Sequence, residues 1–247
     1  MTDPLWTPGT RRVQEANITR FMQLIRQERD PGVTDYKSLY RFSIASPKAF
    51  WRAIWEFAGV IGSAGSRTVE NIESMPGAKW FPDARLNFAE NLLRYRDDSK
   101  ALVFQSETGL SNSLSYRQLY TRVAGLASAL RAIGIEPGDR VAAYMPNLPE
   151  TVIAMLATTS IGAIWSSCPP DFGKSSVLDR FIQIQPKVLI AVDGYDFGGK
   201  THDRRAVVTE IQRELPTVEK TLLIDHISED TAGLINTVLW SQALSDA

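Results

Sequence analysis

The stretch RVAAYMPNLPETVIAMLATTSIGAIWSSCPPDFG, residues 140–173, decides the fold class that we predict for this chain. RVAAYMP and IGAIWSS are apolar runs with the length of buried strands. Asn147 and Glu150, which lie between them, have the spacing of a capping box, and this predicts a helix that runs through Leu156. A strand, a helix and a strand in this order are typical of a right-handed crossover in a mainly parallel sheet.

The same alternation continues on both sides of that stretch. Ser115 and Gln118 form a second capping-box pattern, and the helix that it predicts ends at Gly134. Apolar runs predict further strands at ALVFQS, KVLIAVD and TLLID, and helical spacing predicts helices at VLDRFIQIQ and RRAVVTEIQREL. We therefore expect residues 99–247 to form a doubly wound, mainly parallel α/β subdomain. Ligands of such sheets bind beyond the carboxyl ends of the strands, so the candidate binding loops are MPNLPE, SSCPPDFG and DGYDFGGKTHD.

Residues 1–98 predict a helical, tryptophan-rich N-terminal extension. In SPKAFWRAIWEFAGV, Ser46 is a candidate N-cap and Pro47 suits the first helical position. The apolar side chains of this helix share one stripe: Phe50, Ile54 and Phe57. ITRFMQLIRQ is a further helix candidate. Packing is the simplest role for the aromatic set of this region: Phe50, Trp51, Trp55, Trp80 and Phe81.

Composition excludes several classes of function. The 247 residues carry a net charge of −1, so no basic excess favours nucleic acid or an anionic membrane surface as a partner. We expect no secretory leader, no membrane span and a cytoplasmic location. Cys168 is the single cysteine and has no identifiable base beside it, while His202 and His226 lack metal-ligand spacing. We therefore assign no metal site and no catalytic residue.

The segment GYDFGGKT, residues 194–201, matches the phosphate-binding pattern G-x-x-x-x-G-K-[ST]. It lies between a predicted strand and a predicted helix, as that mechanism requires. Two features oppose this interpretation, since the segment comes late in the alternating series, and Asp193 and Asp196 would repel a triphosphate. A P-loop NTPase and a surface turn with a solvated lysine both stay open at this point.

Several longer segments resemble the adenylate-forming acyl-CoA synthetase superfamily. The run Leu114–Ile164 is typical of the superfamily, and KWFPDARLNFAENLL is typical of its acetyl- and acetoacetyl-CoA synthetase branch. The opening WTPGTRR with NITRFM, together with SSCPPDFG, resembles the acetoacetyl-CoA synthetase family. The resemblance covers essentially the whole chain.

The resemblance implies a reaction in two steps that uses ATP, acetoacetate, CoA and Mg²⁺. An acyl-adenylate and pyrophosphate form first, and the thiol of CoA then displaces AMP. In the family, the glycine-rich phosphate loop, the ribose-binding Asp and the lysine of the C-terminal domain lie beyond the point at which this sequence stops. We therefore expect a truncated chain that is inactive alone, binds no cofactor tightly and self-associates through an uncovered face. The alternative is a non-catalytic or partner-dependent module, and a downstream reading frame that carries the missing loop would discriminate against it.

The resemblance also implies where CoA would bind. In the acetyl branch, two loops meet the nucleotide end of CoA, and the first corresponds here to Pro169, Pro170, Asp171 and Phe172. The second corresponds to Phe197, Gly198, Gly199 and Lys200. The first loop departs from the family's aromatic residue and paired glycines. In the second, Lys200 keeps a cation suited to a phosphate, whereas Phe197 replaces an arginine with a ring that can stack on adenine.

Overall fold

The computed structural model describes residues 4–245, which divide into two compact units at Leu86 and Asn87. The domain boundary predicted between residues 98 and 99 stays a prediction. Within the described residues, no helix is long and apolar enough to cross a membrane.

The first unit consists of four helices and a small antiparallel ribbon. Its elements are α1 (Thr10–Glu15), α2 (Asn17–Glu28), α3 (Tyr36–Ala45), α4 (Pro47–Phe57), β1 (Val69–Glu70) and β2 (Lys79–Trp80). The predicted stripe of α4 packs on the core of this unit, and the Phe21 ring lies 5.7 Å from Phe50 and 5.1 Å from Phe57. Ser46 occupies the N-cap position and Pro47 the first turn, as predicted, although the Ser46 side chain makes no capping bond.

The remaining aromatic residues of the predicted set also meet ring against ring. Trp51 lies 5.8 Å from Trp80, and Trp55 lies 5.0 Å from Phe81, measured between ring centroids. Aromatic pairs at these separations stabilise the fold by more than the burial of their surface alone would do.

The second unit alternates strands and helices. Its elements are α5 (Phe88–Leu92), β3 (Lys100–Gln105), β4 (Ser111–Ser115), α6 (Tyr116–Ala132), β5 (Arg140–Tyr144), α7 (Pro149–Ser160), β6 (Ile164–Cys168), α8 (Lys174–Ile184), β7 (Val188–Val192), β8 (Gly194–Phe197), β9 (Lys200–Asp203), α9 (Arg205–Glu214), β10 (Lys220–Ile224), β11 (Thr237–Leu239) and α10 (Trp240–Ser245). A parallel sheet has the strand order β11-β10-β7-β5-β6. The side chains of α6 and α7 share one core with the sheet, and those of α8 and α9 share another. The predicted α/β class with a parallel sheet is therefore confirmed.

Local signals set the ends of the longest helix. The Ser115 hydroxyl accepts from the Gln118 amide at 3.2 Å, and the Gln118 side chain accepts from the Ser115 amide at 2.9 Å. Gly134 follows the helix with a φ of 92°, a conformation that glycine adopts without strain. Both ends of α6 therefore confirm the prediction.

One sequence-based expectation fails in the second unit, and another holds only in part. The N-cap of α7 is Leu148, which has no side-chain capping bond, and the Thr151 hydroxyl instead donates to the Pro146 carbonyl at 2.7 Å. The capping box predicted at Asn147 is therefore wrong, because Pro149 at the first helical position starts the helix one residue later. The strand at ALVFQS exists as β3, but it pairs with the unpredicted β4 outside the parallel sheet.

Candidate functional site

The candidate site lies where the order of the parallel strands reverses. Strand β5 has β6 on one side and β7 on the other, although β6 comes between them in the chain. Connections that leave in opposite directions open a crevice at the carboxyl ends of such strands. The segments that reach this edge are Met145–Leu148, Pro169–Gly173 and the β8–β9 hairpin.

The segment GYDFGGKT forms that hairpin, not a phosphate loop. Gly194–Phe197 and Lys200–Asp203 are antiparallel strands, and α9 begins only at Arg205. Gly198 and Gly199 have φ values of 62° and 72°, as a tight two-residue hairpin turn requires. The P-loop hypothesis is therefore wrong, because Lys200 begins a strand and no helix starts directly at the turn to aim its N-terminal amides at a phosphate.

Packing also explains the first glycine of that pattern. A Cβ atom on Gly194 would lie 2.1 Å from the end of the Ile227 side chain and 2.8 Å from the His202 carbonyl oxygen. The close approach of these neighbouring residues therefore explains why position 194 is a glycine, and no bound phosphate is needed to explain it.

A pocket of about 310 Å³ lies between the loop after β6 and the hairpin. It is lined by Pro146, Asn147, Pro169, Pro170, Asp171, Tyr195, Asp196 and Phe197. The structure thus brings together the predicted CoA residues Pro169, Pro170, Asp171 and Phe197, which are distant in sequence. An adjoining cavity of about 180 Å³ shares Pro146, Asn147, Tyr195 and Asp196 and continues past His226. We call the two together the entrance groove.

The other predicted CoA residues lie outside the lining of this groove. Phe172 packs against the core beneath Arg180, whose guanidinium lies 5.0 Å from the ring centroid. Gly198 and Gly199 form the hairpin turn, and the Gly199 amide donates to the Glu107 carboxylate at 2.9 Å. Lys200 is exposed, and the described part of the chain offers its ammonium no ion pair. The role of these residues in CoA binding stays a prediction.

The groove contains carboxylates as well as rings. Asp196 accepts a hydrogen bond from the Thr201 hydroxyl at 2.7 Å, and the His226 Nε2 atom lies 3.1 Å from its carboxylate. The hydrogen bond from Thr201 is the largest cause that lowers the pKa of Asp196 below its ordinary range, and the contact with His226 lowers it further. Asp196 is therefore anionic at neutral pH, and with Asp171 it disfavours the entry of a phosphate into the pocket.

Neither Cys168 nor a metal cluster contributes to the site in the structure. The Cys168 side chain is buried, and burial raises the pKa of its thiol, which keeps the sulfur in its unreactive protonated form. Among residues 4–245, no group of three or more His, Cys, Asp and Glu side chains is placed to hold a metal ion.

Asp193 supports the groove from beneath, and the sequence pattern did not reveal this. Its carboxylate is fully buried and accepts hydrogen bonds from the backbone amides of His226, Ile227 and Ser228 at 2.7–3.0 Å. The aspartate thereby fixes the chain that follows β10 against the hairpin. The signal available in the sequence was an aspartate that directly follows an apolar run.

Tyr144 fixes the other wall of the pocket. Its ring is 1% exposed, and its hydroxyl lies 2.7 Å from the Pro170 carbonyl oxygen and 3.2 Å from that of Phe172. A phenol donates one proton, so the shorter contact, to Pro170, is the main bond. Burial, as the largest cause, raises the pKa of Tyr144 to about 12.

This raised pKa predicts a loss of stability in alkali. The contribution of the protonated Tyr144 to the free energy of unfolding is complete below the pKa of an unfolded tyrosine, about 10. This contribution is lost as the pH rises from there towards 12. We expect the free energy of unfolding, measured with denaturant across this range, to fall less steeply in Tyr144→Phe than in the parent chain. Tyr40→Phe is the matched control, since Tyr40 is 56% exposed. Equal slopes for the parent chain and Tyr144→Phe would contradict the assignment.

A doubly wound parallel sheet with a groove at its switch point defines the second unit as a ligand-binding domain of the α/β class. The family model described as "AMP-binding enzyme" matches residues 88–244, and the model described as "Acetyl-coenzyme A synthetase N-terminus" matches residues 36–92. The chain belongs to the AMP-binding enzyme family.

Individual relatives confirm the resemblance to acetoacetyl-CoA synthetases. The chain is 43% identical to the acetoacetyl-coenzyme A synthetase of Rhizobium meliloti over 98% of its own length and 37% of the relative's. It is 35% identical to the acetoacetyl-CoA synthetase of Macaca fascicularis, with the same two coverages. The structure of the acetoacetyl-CoA synthetase from Streptomyces lividans superposes with a TM-score of 0.90 at 41% identity, over 99% of this chain and 38% of that one. The chain thus spans little more than a third of the length of these relatives.

Proposed function

We propose that this chain is the N-terminal part of an acetoacetate–CoA ligase and supplies its scaffold and part of its CoA entrance. The complete enzyme would convert ATP, acetoacetate and CoA to acetoacetyl-CoA, AMP and pyrophosphate. The observation that carries the proposal is the pocket between Pro169–Asp171 and Phe197, in a chain that is similar over nearly its whole length to acetoacetyl-CoA synthetases.

The groove offers chemistry that suits the nucleotide end of CoA. The Phe197 ring is 67% exposed at the pocket rim, where it can stack on adenine. Lys200 lies opposite Phe197 in the hairpin register and carries a charge for a phosphate. Because Asp171 and Asp196 line the pocket, the phosphate would stay beside the exposed Lys200.

No residue of this chain would carry out a chemical step of that reaction. The sequence contains no Ser/Thr/Gly-rich phosphate loop followed by lysine, and the described residues do not form a cluster fit to hold Mg²⁺. ATP and Mg²⁺ would bind in the complete enzyme, and this chain alone would bind no cofactor tightly. We further infer a cytoplasmic location, self-association of the isolated chain, and no partnership with nucleic acid.

Two substitutions with opposite expected effects on the affinity for CoA test the proposed site. Lys200→Ala should weaken CoA binding up to roughly fivefold, because an exposed ion pair contributes little and is screened by salt. Asp171→Asn should strengthen binding by a similar factor, since it removes a carboxylate from the pocket. The measurement is a heteronuclear NMR titration of this chain with millimolar CoA, in which shift changes should map to residues 169–171 and 195–200.

The control variant is Lys220→Ala, which changes a lysine at the opposite, amino end of a parallel strand and should leave CoA binding unchanged. Dephospho-CoA should bind the parent chain and Lys200→Ala with similar affinity if Lys200 meets the ribose phosphate. Shift changes spread over the whole chain, or none at all at millimolar CoA, would remove the support for a CoA entrance here.

A further inference from the structure

Arg204 lies between the two walls of the pocket and bonds to both. Its Nε atom donates to the Pro170 carbonyl oxygen at 2.8 Å, and its Nη2 atom donates to the Tyr195 hydroxyl at 3.0 Å. Its guanidinium also lies 5.2 Å from the centroid of the Tyr195 ring. Pro170 and Tyr195 both line the pocket, so one side chain spans from the loop after β6 to the hairpin.

The loop that Arg204 holds has few other means of attachment. Pro169 and Pro170 have no backbone N–H group, so their carbonyl oxygens are the main groups by which the protein can fix this segment. The Pro170 oxygen receives two bonds, from Arg204 and from the buried Tyr144. With both lone pairs engaged, this carbonyl is the point at which the loop is anchored.

Arg204 makes no ion pair among the described residues, and the Asp203 carboxylate compensates its charge only from a distance. Its side-chain contacts are a carbonyl, a phenol and an aromatic face, and the ion pairs found among residues 4–245 do not include it. Its neighbour Arg205 differs, since its guanidinium pairs with Asp203 at 2.5 Å. Arg204 is also partly buried, where a charge is screened less than at the surface.

We propose that Arg204 is a positioning residue of the entrance groove. It holds the Pro170 wall and the Tyr195 wall at a fixed separation, and its charge offsets part of the repulsion that Asp171 and Asp196 exert on an anionic nucleotide. The second role rests on the function proposed above, whereas the first concerns the chain without ligand. Arg204 is outside the lining of the pocket, so it positions the walls through the residues that it holds, and its charge acts on the pocket from a distance.

The test compares Arg204→Met and Arg204→Lys with the control Arg205→Met. Hydrogen exchange without ligand is measured along the hairpin and at the Phe172 amide, which donates to the Pro169 carbonyl at 3.2 Å, and the Kd for CoA is measured by NMR titration. Arg204→Met should speed exchange in both segments and weaken CoA binding on the order of tenfold. Arg204→Lys keeps the charge but lacks the planar fork, so it should recover the salt-dependent part of the affinity without restoring slow exchange. Arg205→Met should change neither.

Each outcome decides a separate point. Unchanged exchange in Arg204→Met would overturn the positioning role, even if CoA bound more weakly. Faster exchange in a chain that shows no CoA binding would support the positioning role and contradict the proposed function. If Arg204→Lys restored slow exchange, the two bonds from Arg204 to Pro170 and Tyr195 would not both be needed for the positioning role. If Arg204→Met does not fold, Tyr195→Phe, which removes only the Nη2 bond, should still speed exchange in the hairpin, and unchanged exchange there would overturn the proposal.

Discussion

Asp193→Ala is expected to lower the free energy of unfolding of the second unit by about 3–5 kcal/mol. The substitution removes a fully buried carboxylate and leaves the amides of His226, Ile227 and Ser228 without their acceptor. Each of these amides loses a hydrogen bond to an anionic acceptor, and such a bond contributes more than one between neutral groups. Denaturant unfolding followed by circular dichroism measures the effect, which should appear as a lower midpoint with an unchanged slope.

Two further variants separate the charge from the shape at this position. Asp193→Asn keeps one acceptor oxygen but turns an NH₂ group towards the same donors, so its loss should be intermediate. Glu229→Ala removes an exposed carboxylate from the same segment and should change stability little. A loss below about 1 kcal/mol in Asp193→Ala would show that water satisfies the amides and that the buried carboxylate is not what fixes this segment.

Gln212→Ala is expected to lower the free energy of unfolding by about 2–4 kcal/mol and to release the edge strand β11. The Gln212 Nε2 atom lies 2.8 Å from the Thr221 hydroxyl, 2.9 Å from the Ile235 carbonyl and 3.0 Å from the Thr237 hydroxyl. Its Oε1 atom accepts from the Ile235 amide at 3.0 Å. This buried amide therefore connects α9 with both β10 and the chain that enters β11.

Hydrogen exchange of the β11 amides, measured together with the denaturant midpoint, shows whether the loss of stability is local to β11. Gln212→Glu should be at least as harmful, because it replaces the donor with a carboxylate oxygen that faces a carbonyl. Gln183→Ala provides the control, since Gln183 is exposed on α8. If the β11 amides of Gln212→Ala kept their protection while the midpoint fell, the strand would depend on its ladder with β10 and not on Gln212.

Much of the fold could be predicted because its signals are local. The apolar runs at β5, β6, β7 and β10 and the reciprocal cap of α6 depend on residues that are close in sequence. The elements that escaped prediction have weak local signals. In β4 only Leu114 is buried, and the helix start at Asn147 was misplaced because Pro149 meets the requirement of the first turn without a side-chain cap.

The candidate site divides in a similar way. Pro169, Pro170, Asp171 and Phe197 were predicted by resemblance, and the structure places all four around one pocket. Asp193, Tyr144 and Arg204 were not predicted as supports, because each has a hydrogen-bond partner that lies 26 to 35 residues away along the chain. Hydrogen bonds between such distant residues have no periodicity that a sequence can display.

By itself, the sequence determined the alternation of strands and helices, the parallel sheet and the family, since these depend on short-range patterning and on the identity of motifs. It left GYDFGGKT undecided, because a phosphate loop and a hairpin share the same glycines and the same lysine. Only the tertiary structure decided between them. Ile227 and the His202 carbonyl leave no space for a side chain on Gly194, and the positive φ values of Gly198 and Gly199 turn the chain back on itself before any helix can begin.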